Sequence, residues 1–435
     1  MKPKDILEID FFMLMPVIAL IVLGILFIYS SGTSSTSALA STEYIRQIIW
    51  ASIGLIAALA LALLNYRRSY DIALYLYLII LVPLLYTCVF GRVVHGTRWL
   101  RFGIFGIQAS EFAKISTIIF LARYLTDTRL SGNIFGRFLT SCFIVLVPMG
   151  IVLIQPDLGT SLVFIPILLC MTFVAGISTR YIFFLIFCIL LTGLLTVLPL
   201  WQAYILRKSL PAIVMLTNFR LIIITILALT LIMAITLFGY LKYRKRYFYW
   251  LLYFIAIIVL SLGASYAARR VLKNYQIMRL IVFLDPNVDP RGAGWNIIQS
   301  VTAIGAGGFT GKGYLQGTQS HYRFLPEQST DFIFSIFSEE AGFIGGIMVF
   351  ILFLIICLRL LHIIKITTDP FAAYICAGLV GVYSFHFLIN VGMTMGIMPI
   401  TGIPLLFMSY GGSSLISAMV GIGLAMSIYV RRYNH

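Results

Sequence analysis

Charge is scarce in this chain: only 11% of its 435 residues are Asp, Glu, Lys or Arg, against 61% hydrophobic. So little charge excludes an ordinary soluble domain of this length, and the solvent is a lipid bilayer. Acid is scarcer than base, with 15 Asp and Glu against 31 Lys and Arg and a net charge of +16. In a soluble protein that excess would suggest a nucleic-acid partner, but here most of it sits in loops between apolar runs, where it sets topology. The run Lys242 to Arg246 reads as an anchor at anionic lipid headgroups rather than a nucleic-acid patch. Cysteine is confined to Cys88, Cys142, Cys170, Cys188, Cys357 and Cys376, all in apolar runs, so no disulfide framework is suggested. The 5 histidines have no metal-ligand spacing, which argues against a zinc site.

What the chain does have is apolar runs long enough to cross roughly 30 Å of hydrocarbon. They fall near 11–29, 46–64, 72–90, 110–125, 138–154, 158–176, 180–199, 220–241, 248–267, 332–360, 371–393 and 404–430. The expected fold is an all-α polytopic membrane protein of about twelve spans, forming one domain over 1–435. Lys2 and Lys4 precede the first run, yet Phe11 to Tyr29 is too long for a signal peptide and Ala38-Leu39-Ala40 too distant for its cleavage site. One face collects Arg67, Arg68, Arg123, Arg359, Arg431 and the 242–246 run, while the short loops of the other hold far fewer, among them Arg46, Arg92, Arg98 and Arg101. That bias puts both termini in the cytoplasm and makes 268–330 a long external loop. Arg98, Arg101, Arg279, Arg291, Lys312 and Arg323 then lie on the face where an anionic substrate would be met.

The 268–330 segment is rich in glycine, which suits tight turns and close backbone approach. Gly311-Lys312 invites a phosphate-loop reading, but Ala306 and Gly313 stand where that motif needs Gly and then Ser or Thr. A dinucleotide fingerprint fails as well, because Thr310 breaks the spacing that begins at Gly305 and there is no soluble βαβ context. A turn-rich loop packed on the membrane surface and a substrate cradle both remain open.

Ionisable residues at span centres cost roughly 2.5–3.5 kcal/mol each on insertion scales, so few persist without a reason. Glu111 and Lys114 stand three apart at the start of the fourth run, on one helix face. They could form a stabilising ion pair or serve a substrate. Asp157, in QPDLGT, could cap the next span or contribute to a site. Glu339 and Glu340 lie about two turns beyond Asp331, which itself stands where a polar segment meets an apolar helix. Asp331 could be a helix cap, although Phe334 occupies the place of the Glu or Gln that completes a capping box.

The stretches GTRWL, QPDLGT, FLDPNVDPRGAGWNIIQS, AIGAGGFTGKG, FLPEQSTDFIF, SEEAGF and NVGMTMGIMPITGIPLLFMSYGGSS occur in the order seen in the SEDS membrane proteins (shape, elongation, division, sporulation), which this chain resembles over most of its length. GTQS followed by FLPE favours the rod-shape branch over the division branch. The family usually has about ten spans, so two further spans are expected as an insertion within 204–268. Ala109 and Leu406 replace family prolines, and Ser329 stands where His is common.

The resemblance implies a peptidoglycan glycosyltransferase of the cytoplasmic (inner) membrane that polymerises lipid II outside the membrane during elongation, releasing undecaprenyl pyrophosphate. Asp331 is then the expected catalytic general base. Arg98, Lys114, Arg279 and Lys312 are expected to bind the pyrophosphate, with Glu111 holding Lys114 and Asp157 nearby in the substrate site. A divalent cation such as Mg would suit pyrophosphate, although no ligand cluster marks one. The implied partners are a class B penicillin-binding protein transpeptidase, other membrane proteins of the elongation complex and membrane lipids. A lipid II flippase and a non-enzymatic scaffold are the competing readings; against the common transporter layout, the two halves of the sequence show no internal repeat.

Overall fold

The computed structural model describes residues 10–33, 42–90, 92–94, 97–102, 105–206, 208, 210–322 and 324–432. Each apolar run of the sequence is largely helical, the last only from Gly412 onward. The helices are α1 (Phe11–Gly32), α2 (Glu43–Leu63), α3 (Arg67–Phe90), α4 (Ala109–Asp127), α5 (Ile134–Ile154), α6 (Leu158–Leu162), α7 (Phe164–Val174) and α8 (Thr179–Trp201). After these come α9 (Pro211–Thr217), α10 (Phe219–Tyr243), α11 (Arg246–Val271), α12 (Asn274–Leu284), α13 (Ala293–Gly307), α14 (Thr318–His321), α15 (Ile333–Ile366), α16 (Pro370–Thr394) and α17 (Gly412–Val430). Among the described residues 10 helical stretches are long and apolar enough to span a bilayer. The runs outside that number are α4, whose charged residues dilute it, and the shorter Leu158–Val174 stretch, which is broken at Val163.

The chain forms two compact units, one of Met1–Ile177 with Gln299–His435 and the other of Ser178–Ile298. In the first, α16 and α17 are the most buried of the long spans, and α17 packs on α2 while α16 packs on α15, α7 and α4. In the second, α11 packs on α8 and α10.

Two expectations change in detail. The stretch between α3 and α4 holds three short antiparallel strands, β1 (Arg92–Val94), β2 (Thr97–Phe102) and β3 (Phe105–Ile107), in the order β1-β2-β3. Their β-branched and aromatic residues, punctuated by glycine, explain the exception to an otherwise helical chain. The 268–330 segment is not an irregular loop, because α12, α13 and α14 occupy much of it. In α12 the apolar Ile277, Leu280, Ile281 and Leu284 recur at helical spacing, a pattern that the abundance of glycine nearby obscures.

One end of the first unit gathers ionic contacts from five helix termini. Asp10 caps α1 through the Met13 N–H and accepts Arg359 Nη2 from α15 at 2.7 Å. Asp369 caps α16 and receives the Tyr66 hydroxyl at 2.8 Å. Burial, with Asp369 as the next cause, pushes the Tyr66 hydroxyl up to about 12, so it remains a donor at neutral pH. Arg431 donates to Leu63 O and Ala62 O, satisfying the terminal carbonyls of α2.

At the opposite end, α15 is broken at Gly342 (φ 67°). A break within a span leaves backbone groups to be satisfied by other protein segments. The loop after α13 does this: Phe343 and Ile344 N–H donate to Gly308 O and Phe309 O, while Lys312 and Gly313 N–H donate to Glu339 O and Glu340 O at 3.0–3.2 Å. Gly311 must be glycine here, since its φ is 81° and a Cβ would lie 2.1 Å from Glu340 O. Gly311→Ala is therefore expected to lower stability by at least about 1–3 kcal/mol through strain alone. Thermal unfolding of the purified protein against Gly150→Ala, where a Cβ meets nothing within 4 Å, checks this; equal melting temperatures would refute the interlock.

Candidate active site

The segment 397–411 is non-helical between two spans, so its carbonyls need partners from neighbouring helices. Two polar residues one turn apart on α16 provide them. His386 Nδ1 lies 3.0 Å from Pro404 O, and Asn390 Nδ2 donates to Ile403 O at 2.8 Å. Small residues admit the segment's backbone: a Cβ on Gly24 would lie 2.4 Å from Met408 O, and one on Gly159 2.4 Å from Thr401 O.

The same two side chains join the sequence-predicted residues. Asn390 Nδ2 also donates to Asp331 O at 2.9 Å, which pins the residue ahead of α15. His386 Nε2 lies 3.1 Å from Lys114 Nζ. A proline carbonyl can only accept, so Nδ1 carries the proton and Nε2 accepts from the Lys114 ammonium. Lys114 Nζ is 2.8 Å from Glu111 Oε2, and both side chains are almost fully buried. Ser417 of α17 donates to the same Glu111 oxygen at 3.2 Å. Glu111, Lys114 and His386 thus form one buried polar chain that ends on Pro404 O, and Asn390 ties the adjacent Ile403 O to the backbone of Asp331.

Asp331 is half-buried, and the N-cap position of α15 falls to Phe332, without a side-chain bond. Asp157 caps α6, accepting Thr160 N–H at 3.0 Å and the Thr160 hydroxyl at 2.8 Å, and it also accepts Gln108 Nε2 at 3.0 Å. Burial pushes its carboxyl up from the ordinary value, against the lowering bonds from Thr160. The Gln108 N–H donates to Ser413 Oγ at 3.0 Å. Gln108 thereby ties the N-termini of α4 and α17 together, and the partial positive charge at such termini favours anions.

Lys312 Nζ is 2.7 Å from the fully buried Glu339 and 2.8 Å from Thr318 Oγ1. Glu339 also accepts the N–H groups of Thr318 and Gln319, so Lys312 and Glu339 together clamp a loop. Glu340 accepts Ser30 Oγ and the Leu315 N–H and ties the same loop to α1. Arg98 lies on β2 in register with Val93. Arg279 belongs to the second unit, its guanidinium 5.7 Å from the Tyr275 ring centroid. Sequence reasoning missed His386 and Asn390, whose signal was a pair of polar residues four apart inside an apolar span. No three His, Cys, Asp or Glu side chains converge among the described residues in a way that could hold a metal ion.

A family model described as "Cell cycle protein" (FtsW, RodA, SpoVE) matches residues 11–210 and 204–434. The chain belongs to this family. It is 47% identical, over 99% of its length and all of the relative's, to "Peptidoglycan glycosyltransferase RodA" of Treponema pallidum. It is 31% identical to "Peptidoglycan glycosyltransferase MrdB" of Escherichia coli K12, covering 98% of this chain and 95% of the relative. Among solved structures, its fold is similar to a chain described as "Structural coordination of polymerization and crosslinking by a peptidoglycan synthase complex", with TM-score 0.69, 24% identity and coverage of 98% and 99%. The crystal structure of Thermus thermophilus rod shape determining protein RodA matches with TM-score 0.60, 22% identity and 98% coverage of each chain.

Proposed function

We infer that the chain is a peptidoglycan glycosyltransferase, and we propose Asp331 as its general base. The observation that supports the site assignment is the bond from Asn390 to Asp331 O, which ties the backbone of this half-buried residue to α16 at a position one helical turn from His386, the partner of Lys114. The acceptor sugar hydroxyl passes its proton to Asp331 as its oxygen bonds to the anomeric carbon of lipid II. The bond from that carbon to the pyrophosphate oxygen breaks, and undecaprenyl pyrophosphate departs with the electron pair. One displacement inverts the centre, giving a β-linkage from an α-linked donor. Pyrophosphate leaves readily, so a second carboxylic acid is not needed, unlike in a glycosidase.

The leaving group's charge would be met by the positive ends of α4 and α17 and by the field of Lys114, which is strong where dielectric is low. An ammonium carries three donors; Glu111 and His386 hold Lys114 in place with two of them. Arg98 and Arg279 are assigned to the pyrophosphate by motif position alone. A class B penicillin-binding protein is the proposed transpeptidase partner, and the cytoplasmic membrane with the Asp331 end outside the proposed location. Incubating the purified chain with lipid II tests the activity: glycan strands are expected, and lipid transport without polymerisation would favour a flippase.

Topology has its own test. Cysteine placed at Tyr322 should react with an impermeant thiol reagent in cells with a permeable outer layer, and cysteine at Lys245 should not. Labelling at 245 but not at 322 would invert the orientation.

A further inference from the structure

From Leu158 to Leu284 the chain contains neither Asp nor Glu. Within the second unit, Tyr253 Oη donates to Arg180 O at 2.9 Å and Ser261 Oγ to Cys188 O at 3.2 Å, so α8 and α11 run parallel. The Tyr243–Phe248 ring contact at 6.1 Å closes the turn between α10 and α11, and Phe219 meets Tyr266 at 5.7 Å, so α10 runs antiparallel to both. One end of this unit therefore gathers the end of α8, the start of α10 and the end of α11. Lys208, Arg220, Arg269, Arg270 and Lys273 all belong to that end, with no carboxylate in these helices to neutralise them.

Helix termini attract cations at their carbonyl ends, and that accounts for part of the cluster: Arg269 Nε donates to Ser265 O at 3.3 Å. It does not account for Arg269 Nη2, which is buried and has no hydrogen-bond partner among the described residues. Arg270 Nη2 donates to Tyr266 Oη at 3.0 Å and its guanidinium lies 5.4 Å from that ring centroid. At the same end the buried Gln202 Oε1, an acceptor, also lacks a partner among the described residues. An unsatisfied guanidinium nitrogen and an unsatisfied amide carbonyl call for a ligand with both anionic oxygens and hydroxyls. The 26 residues of α11 extend about 39 Å at 1.5 Å each, longer than roughly 30 Å of hydrocarbon. Its last turn, with Arg269 and Arg270, therefore reaches the headgroup layer.

We propose that this end of the second unit is a binding site for an anionic glycerol-headgroup phospholipid, with Arg269 taking the phosphate and Gln202 a headgroup hydroxyl. The proposal is independent of the glycosyltransferase reading, since it uses none of the residues assigned to that site. The test is native mass spectrometry of the full chain released from nanodiscs of phosphatidylcholine containing phosphatidylglycerol and undecaprenyl pyrophosphate in equal amounts. The wild-type protein should retain phosphatidylglycerol selectively, and Arg269→Gln should weaken retention about tenfold, as expected for one lost charge-assisted bond. Arg270→Gln, at an exposed position, should also weaken it, and Arg269→Lys should restore part of the loss. Circular dichroism in phosphatidylcholine alone verifies that each variant is folded. Equal retention by wild type and both Gln variants overturns the site. Preferential retention of undecaprenyl pyrophosphate over phosphatidylglycerol also overturns it, because the anion would then be the polymerase's leaving group.

Discussion

Asp331→Asn is expected to make almost no glycan from lipid II while inserting and folding normally. One contact that holds this residue is to its backbone carbonyl, from Asn390 Nδ2 at 2.9 Å, and the substitution leaves that bond in place. The helix cap is likewise at Phe332. Asn has nearly the same size but cannot accept the acceptor sugar's proton, and loss of a general base usually costs roughly 10²–10⁴ in rate. Glycan synthesis by the purified variant, read as strand length and yield on gels, is the measurement, with thermal unfolding as the control. Near-normal polymerisation would remove Asp331 from the base role. Asn390→Leu should show the complementary pattern: it leaves Asp331 O and Ile403 O without this donor, at about 1–3 kcal/mol for each unsatisfied group, so both stability and rate should fall.

Much of this architecture is legible in the sequence because a bilayer imposes one simple demand, a long apolar helix per crossing. The runs ending at Gly32 and Phe90 could hardly form anything else. Legibility fails where irregular backbone is satisfied by distant side chains. The last apolar run begins near 404 in sequence but becomes helix only at Gly412, since 397–411 bonds instead to His386, Asn390, Gln47 and Ser329. None of those pairings has a local sequence signature. The carboxylates divide the same way. Glu111 with Lys114 is readable from helical spacing, whereas the partnership of Lys312 with Glu339 is 27 residues distant and depends on the break at Gly342. Asp157 takes the cap that its position before α6 suggests, and the same carboxylate bonds Gln108 at the head of α4, a pairing with no local signature.

Lys114→Met should be strongly destabilising. Both partners of the ion pair are 2–3% exposed, and removing one side of such a pair leaves a buried charge that typically costs 3–5 kcal/mol. His386 Nε2 also loses its donor. The double variant Glu111→Gln with Lys114→Met removes both charges, and buried pairs replaced by neutral residues of similar volume often cost little. It should therefore recover most of the lost stability, giving a large coupling energy in a double-mutant cycle. Polymerisation should not recover with it, because the proposed leaving group still needs the positive field that Lys114 supplies. Unfolding midpoints and glycan yield measured on the same preparations separate the two roles. A double variant that regains both stability and polymerisation would make the pair a packing element and leave the pyrophosphate to the helix termini alone; a Lys114→Met protein as stable as wild type would contradict the buried ion pair itself.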